Sequence, residues 1–411
     1  MQSAQVTEEP ETLNEFGLRR VLVVLCVTEI VSWGVLYYAF PVLAPSIAAD
    51  TGWTIAEVTA AFSTGLVVSA LLGIPAGRWL DRAGPRPVMT LGSVLAVPAV
   101  VGIATASTLP RFFAAWVLVG VAMAGTLYPP AFAALTRWWG PRRITALTAV
   151  TLLAGLASTI FAPLTATLLG HLQWRHSYLV LAVVLGAVTI PAHLLGLRGR
   201  WPDPDRADRP SAHVDDDAPG AIARSRPFLF LVAAIALGTF TAFAVVVNQV
   251  PLLIERGLST SVAAWALGLG GLGQVAGRLG YGRLARATGV RTRSVVILAL
   301  AAGATALLAV LPGPTALLIA AAMLAGAVRG VFTLLQATAI SDRWGAAHYG
   351  RLNGLLSAPA LLATALAPWA GAALAHSLGS YPAVFWVLAG TAALAAVLAT
   401  GSTPAARPSG P

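Results

Sequence analysis

Apolar segments long enough to cross a lipid bilayer follow one another from end to end of this chain. They fall near residues 21–47, 54–80, 86–107, 111–137, 143–170 and 175–197, then near 227–254, 261–284, 292–311, 314–341, 349–377 and 380–400. A hydrocarbon core of about 30 Å takes roughly 20 residues of helix, and inside lipid each segment must satisfy its own backbone amides. The twelve segments therefore predict twelve transmembrane helices. Composition excludes a soluble alternative. Only 10% of the 411 residues are charged and 57% are hydrophobic, whereas a soluble domain carries about 25% charged residues to cover its surface. The fold class is all-α and integral to the membrane.

The segments form two sets of six. At a constant shift of 205 residues Gly77 meets Gly282, Arg78 meets Arg283, Gly84 meets Gly289 and Arg86 meets Arg291. Gly52 likewise meets Gly257, Trp139 meets Trp344 and Gly140 meets Gly345. Paired arginines and tryptophans in separate loops at one offset mark an internal repeat, hence two pseudo-symmetric six-helix halves. The expected organisation is an N-terminal tail (1–20), a first half (21–197), a linker (198–226), a second half (227–400) and a C-terminal tail (401–411). The linker holds Pro202, Pro204, Pro210 and the run Asp215-Asp216-Asp217 and reads as a flexible, solvated spacer. The first tail carries Glu8, Glu9, Glu11 and Glu15 and lacks the basic start of a secretory signal.

The net charge is +10, and every basic residue is an arginine. The arginines gather in alternate short loops and form no basic face, which argues against nucleic acid as a partner and places both termini in the cytoplasm. A multi-pass protein of the plasma membrane is expected, a cell or bacterial inner membrane. The lone Cys26 allows no internal disulfide, and no Cys/His cluster suggests a metal or other cofactor. With no phosphate-binding Gly-rich loop and no Ser/His/Asp set in a believable context, neither ATP-driven transport nor an enzyme is expected.

The loop after the second span reads Gly77, Asp81, Arg82, Gly84, Arg86, the pattern G-x-x-x-D-R-x-G-x-R. With twelve spans in two halves, it resembles the major facilitator superfamily. Here Gly77 should let spans pack closely, Gly84 should permit the turn, and the Asp/Arg set should latch onto a neighbouring helix end. Gly282, Arg283, Gly289 and Arg291 repeat the loop. Tyr38-Ala39-Phe40-Pro41, Gly84 to Met89, and Gly277-Arg278 are similar to the monocarboxylate porters and their oxalate/formate antiporter-like bacterial relatives. The resemblance implies a mid-membrane substrate cavity lined by spans 1, 4, 7 and 10, with Arg278 for a substrate carboxylate. Two positions depart from those porters: Val42 stands where animal members often carry Lys, and Gln274 where they carry Asp.

Three charges stand out well inside spans, and a charge costs at least about 2.5–3.5 kcal/mol at the bilayer centre. Arg278 can grip a carboxylate in a bidentate fork, or snorkel or pair with a helix end. Arg329, flanked by Gly326 and Gly330, sits too deep to snorkel and reads as a second anion contact or gating pair. Glu29 is the proton-coupling candidate, or one side of a fixed ion pair with either arginine. Tyr37, Tyr128, Asn248, Gln274 and Gln336 complete the candidate substrate-binding set, each of them also able to join helices. Pro129-Pro130 predicts a break in span 4 just after Tyr128.

The expected protein is a secondary active transporter. It moves a small, monocarboxylate-like organic anion by alternating access, with a proton (symport) or a counter-anion, as a monomer in the lipid bilayer. One alternative is a drug or metabolite exporter of the same fold, although span 5 has Gly155 and Pro163 without the full glycine-rich Gly-Pro signature. Another is a transport-inactive sensor or scaffold, which calls for a folded soluble appendage.

Overall fold

The computed structural model describes residues 13–201, 218–345 and 349–404, so the acidic run of the linker and most of both tails lie outside the described residues. All regular structure among the described residues is helical. The first six long helices are α1 (Glu15–Thr51), α2 (Ile55–Ala83), α3 (Pro85–Thr105), α4 (Leu109–Trp139), α5 (Arg143–His171) and α6 (Trp174–Gly196). The second six are α7 (Arg226–Glu255), α8 (Thr260–Ala287), α9 (Val290–Val310), α10 (Thr315–Thr338), α11 (Tyr349–Leu378) and α12 (Tyr381–Ala399). Eleven are long and apolar enough to cross a membrane; α8 is as long, but arginines and glycines dilute it.

Nearly every boundary lies within four residues of its expected place. The exception is the start of α1, where Asn14 accepts a 2.8 Å hydrogen bond from the Gly17 amide and caps a helix that begins inside the expected tail. The repeat reappears as backbone geometry. Gly52 and Gly257, at equivalent places, end α1 and α7 with φ of +72° and +87°, a conformation that costs glycine nothing.

Contacts between α5 and α8 and between α2 and α11 join the halves. Thr159 of α5 donates to the Gly268 carbonyl of α8 at 2.8 Å, and the Trp369 amide of α11 donates to Ser63 of α2 at 3.2 Å. At the arginine-poor end one core spans both halves, with Phe40, Phe62 and Trp116 packed together with Val246, Leu253 and Leu267. At the arginine-rich end each half keeps a core of its own. Leu18, Leu135 and Trp138 belong to one, and Phe228, Ile297 and Leu352 to the other. The bundle is thus sealed at one end and parted at the other.

The tightest seam among the described residues joins α8 to α10. A Cβ on Gly277 would lie 2.0 Å from the Ala327 carbonyl oxygen, and one on Gly326 would lie 1.9 Å from that of Gly270. Only hydrogen fits there, and the two backbones touch. This seam fixes Gln274 and Arg278 on α8 against Arg329 on α10.

Candidate functional site

A cavity of about 480 Å³ lies between the halves, on the arginine-rich side of the shared core. Trp33, Tyr128 and Pro129 line it from the first half, and Thr239, Phe243 and Gln336 from the second. Local backbone irregularities aim these groups. Residues Gly34–Tyr38 of α1 form a π-helical turn, a feature frequent at functional sites. A Cβ on Gly34 would fall 2.2 Å from the Phe161 ring, so α1 can press onto α5 only with glycine at this turn. The turn sets Tyr37 and Tyr38 side by side, ring centroids 5.2 Å apart, and Tyr37 contacts Phe243 of the other half at 6.1 Å. In α4, Leu127 leaves the helix (φ −92°, ψ −168°), and Tyr128-Pro129-Pro130 starts the second segment, so the break falls just before Tyr128 and not just after it, because the prolines sit in the first turn of the new segment.

Arg278 is buried on α8. Its Nη1 donates to the Thr151 carbonyl of α5, and the Tyr128 hydroxyl lies beside its guanidinium. Gly155 leaves space for it: a Cβ there would stand 3.1 Å from Nη1. Arg278 Nε has no hydrogen-bond partner. Arg329 is half-buried; its Nη2 donates to Gln274 Oε1 at 2.8 Å, and its Nε is also unpartnered. Glu29 is fully buried in α1, its carboxylate beside the Trp33 indole one turn on and in no ion pair. Four ion pairs occur among the described residues, Arg137–Asp81, Arg142–Glu15, Arg175–Asp50 and Arg293–Asp342. None of them includes Glu29, Arg278 or Arg329, so the Glu29–arginine pair allowed by the sequence is not made in this conformation. Two cations and a carboxylate near the middle of the bundle stand without ionic partners, an expensive arrangement in a membrane.

The remaining candidates divide. Tyr128 and Gln336 line the cavity, and Gln336 reaches Thr239 at 3.4 Å. Tyr37 is buried, its hydroxyl unbonded, against the cavity wall. Gln274 is occupied by Arg329. Asn248 lies apart: it donates to the Ala244 carbonyl at 2.9 Å and packs against Gly371, joining α7 to α11. Trp33, Thr239 and Phe243 are cavity residues that the sequence did not single out. Trp33 had a readable signal, because Glu29, Trp33 and Tyr37 follow at four-residue intervals along one helix face.

Three positions of the loop signature make specific contacts or turns. Asp81 pairs with Arg137 at the end of α4 at 2.6 Å, Gly84 turns at φ +80° beneath Trp201, and Arg86 donates to the Leu194 carbonyl at 2.8 Å. Arg82 is exposed. Gly77 corrects the expectation of close packing, since a Cβ there would meet nothing within 4 Å; it borders a crevice between α2 and α4. In the second copy a Cβ on Gly289 would also meet nothing within 4 Å and one on Gly282 would only reach Arg286 Nη1 at 4.0 Å; Gly289 has an ordinary φ of −68°, and Arg283 and Arg291 enter none of the four ion pairs. The latch there is Arg293 with Asp342, while Arg343 binds Ser294 at 2.8 Å and the Ser402 carbonyl at 2.7 Å.

Two six-helix repeats surround a cavity that lies between them and is sealed at one end. The chain matches the Major Facilitator Superfamily over residues 25–316 and 229–411, and it belongs to that superfamily as a multi-pass integral membrane protein. It is 26% identical to monocarboxylate transporter 13 of Bos taurus over 254 residues, covering 62% of this chain and 56% of that one. It is 28% identical to human monocarboxylate transporter 11 over 256 residues, 60% of this chain and 51% of the other. With the multidrug resistance protein MdtL of an Escherichia coli strain it shares 29% identity over 238 residues, 55% of this chain and 57% of that protein. The chain thus spans little more than half the length of these curated relatives. Among solved structures, a variant of the nucleoside transporter NupG superposes with a TM-score of 0.74 at 14% identity, over 93% of this chain and 99% of the other. A bacterial homologue of the human lysosomal transporter Spinster, in an inward-facing and unoccupied conformation, gives 0.68 at 16% identity, over 95% of each chain. At these identities the structural likeness speaks for the fold alone.

Proposed function

We propose that this transporter carries a small organic anion of the monocarboxylate type, with Arg278 as the group that receives the carboxylate. The observation that carries the reading is a buried guanidinium without an anionic partner, beside the Tyr128 hydroxyl and close behind the cavity wall. A substrate carboxylate arriving there trades the single Thr151 carbonyl for a bidentate, charge-assisted pair in a poorly hydrated site. Tyr37 and Gln336 then surround the anion, whereas Arg329, bonded to Gln274, lines the smaller cavity behind and is not among the groups lining the main one. Arg278 bonds α5 of the first half from α8 of the second, so occupying it alters a contact on which the halves rock. Glu29, one turn from the cavity residue Trp33, is placed to carry the coupled proton. The relatives named as monocarboxylate transporters support this substrate class.

In this reading the arginine-rich end faces the cytoplasm of a plasma-membrane protein, the cavity is open inward, and residues 21–197 and 227–400 are the moving units of a monomer. Energy comes from proton symport or from anion exchange. Efflux of lipophilic compounds is the second reading, favoured by the apolar wall of Trp33, Leu66, Ile74, Phe243 and Leu361 and by the likeness to MdtL. Proteoliposome uptake of labelled lactate and pyruvate, with and without an inward proton gradient, separates the two. Saturable uptake is expected. Its absence, together with proton-driven extrusion of a lipophilic dye, would favour efflux.

A further inference from the structure

Behind Arg329, inside the second half, lies a smaller cavity of about 30 Å³ bounded by α7, α8, α9 and α10. Its polar lining is Thr241, Gln249, Thr305 and Arg329, and Arg329 is its one charged wall residue. Both threonine hydroxyls are committed to backbone, Thr241 to the Leu388 carbonyl at 3.4 Å and Thr305 to the Ala301 carbonyl at 2.7 Å. Two donors remain. Gln249 is 4% exposed and its Nε2 has no acceptor, and Arg329 Nε has none either. Glycine and alanine from Gly238, Gly270, Ala304 and Ala322 form much of the rest.

Unused N–H donors, a positive charge without a carboxylate, and a small apolar shell together select an anion. The space is too small for a carboxylate on a carbon skeleton. It holds about two waters by volume, which is also room for one monatomic ion. Water could accept from both donors but would leave the guanidinium charge uncompensated in the membrane. We propose that this cavity is a halide site, occupied by chloride as the counter-ion of Arg329. The proposal holds whichever solute the main cavity carries, because the halide satisfies groups that face the interior of the second half.

The test uses the full-length protein purified in detergent, with melting followed in sodium chloride, sodium bromide and sodium gluconate at equal ionic strength. A ligand bound to the folded state alone raises the melting temperature, here by at least about 2 °C in either halide over gluconate. Gln249→Glu places a fixed negative charge in the cavity, and its melting temperature should be the same in all three salts. Bromide-soaked crystals of the wild type should show anomalous density beside Arg329 and Gln249. Equal melting of the wild type in all three salts overturns the proposal. A halide effect that survives unchanged in Gln249→Glu, or bromide density absent from this cavity, overturns it too. Should Gln249→Glu fail to fold, the wild-type bromide experiment decides alone. Lactate uptake is measured separately, so failure of the substrate reading and failure of the halide site remain distinct.

Discussion

Gly65 in the first half and Gly270 in the second occupy the same place in the repeat, and at each a helix backbone meets another with only hydrogen between. A Cβ on Gly120 would stand 2.2 Å from the Gly65 carbonyl oxygen, and one on Gly326 stands in the same relation to Gly270 at 1.9 Å. There the likeness ends. The second half extends its seam through Gly273, Gly277 and Gly330, which brings Gln274, Arg278 and Arg329 together. The first half fills its seal with Phe40, Phe62 and Trp116, and Phe40 and Phe62 stack at 4.2 Å. The end latches also exchange roles. In the first half a carboxylate ending α2 meets an arginine ending α4; in the second an arginine opening α9 meets Asp342 just beyond α10. The repeat has kept the places where backbones touch or turn and has let side-chain chemistry diverge, cations on one side and an acid with aromatics on the other.

That contrast can be broken experimentally. Valine at Gly326 or at Gly120 forces heavy atoms into a carbonyl, and either substitution should cost about 3 kcal/mol or more and abolish a monodisperse peak in size-exclusion chromatography. If one half tolerates valine, the two seams are not equivalent. The latches should differ instead. Arg293 is 6% exposed at its side chain, and Asp342→Asn leaves that cation nearly buried and unpaired; a loss of about 3 kcal/mol is expected. Glu29→Gln tests the division of labour: exchange of labelled for unlabelled substrate should persist, while stimulation by a proton gradient disappears. Persisting stimulation would remove Glu29 from coupling. The smallest change is expected from Asp81→Asn, because Asp81 is 54% exposed in its pair with Arg137. That variant should shift stability by less than about 1 kcal/mol in the same melting assay.

Much of this was legible beforehand, for physical reasons. Helix spans follow from hydrophobicity alone, and the 205-residue repeat survives because left-handed turns such as Gly52 and Gly257 tolerate little but glycine. Arg278, Arg329 and Glu29 were visible because a charge in an apolar run is expensive wherever it points. Which way each points was not visible. Arg329 turns to Gln274 and the small cavity, and Asn248 spends its amide on backbone. Trp201, at the edge of the expected linker, folds back to donate to the Asp81 carbonyl at 3.1 Å. Such contacts depend on tertiary register, which a single sequence does not encode locally. His193 belongs with them: it lies buried in α6 with Nδ1 2.8 Å from the Ser93 hydroxyl of α3, and nothing in its sequence surroundings distinguishes it.

In the proposed transport cycle Arg278 receives the carboxylate. The most direct measurement is counterflow of labelled lactate in proteoliposomes, comparing wild type with Arg278→Ala and Arg278→Lys at matched protein incorporation and melting temperature. Losing a buried charge-assisted pair costs about 2–5 kcal/mol, so Arg278→Ala should lose at least about 30-fold in rate. Arg278→Lys, which keeps the charge and gives up the fork, should retain part of it. Counterflow undiminished in Arg278→Ala would contradict the account and place the carboxylate elsewhere in the cavity.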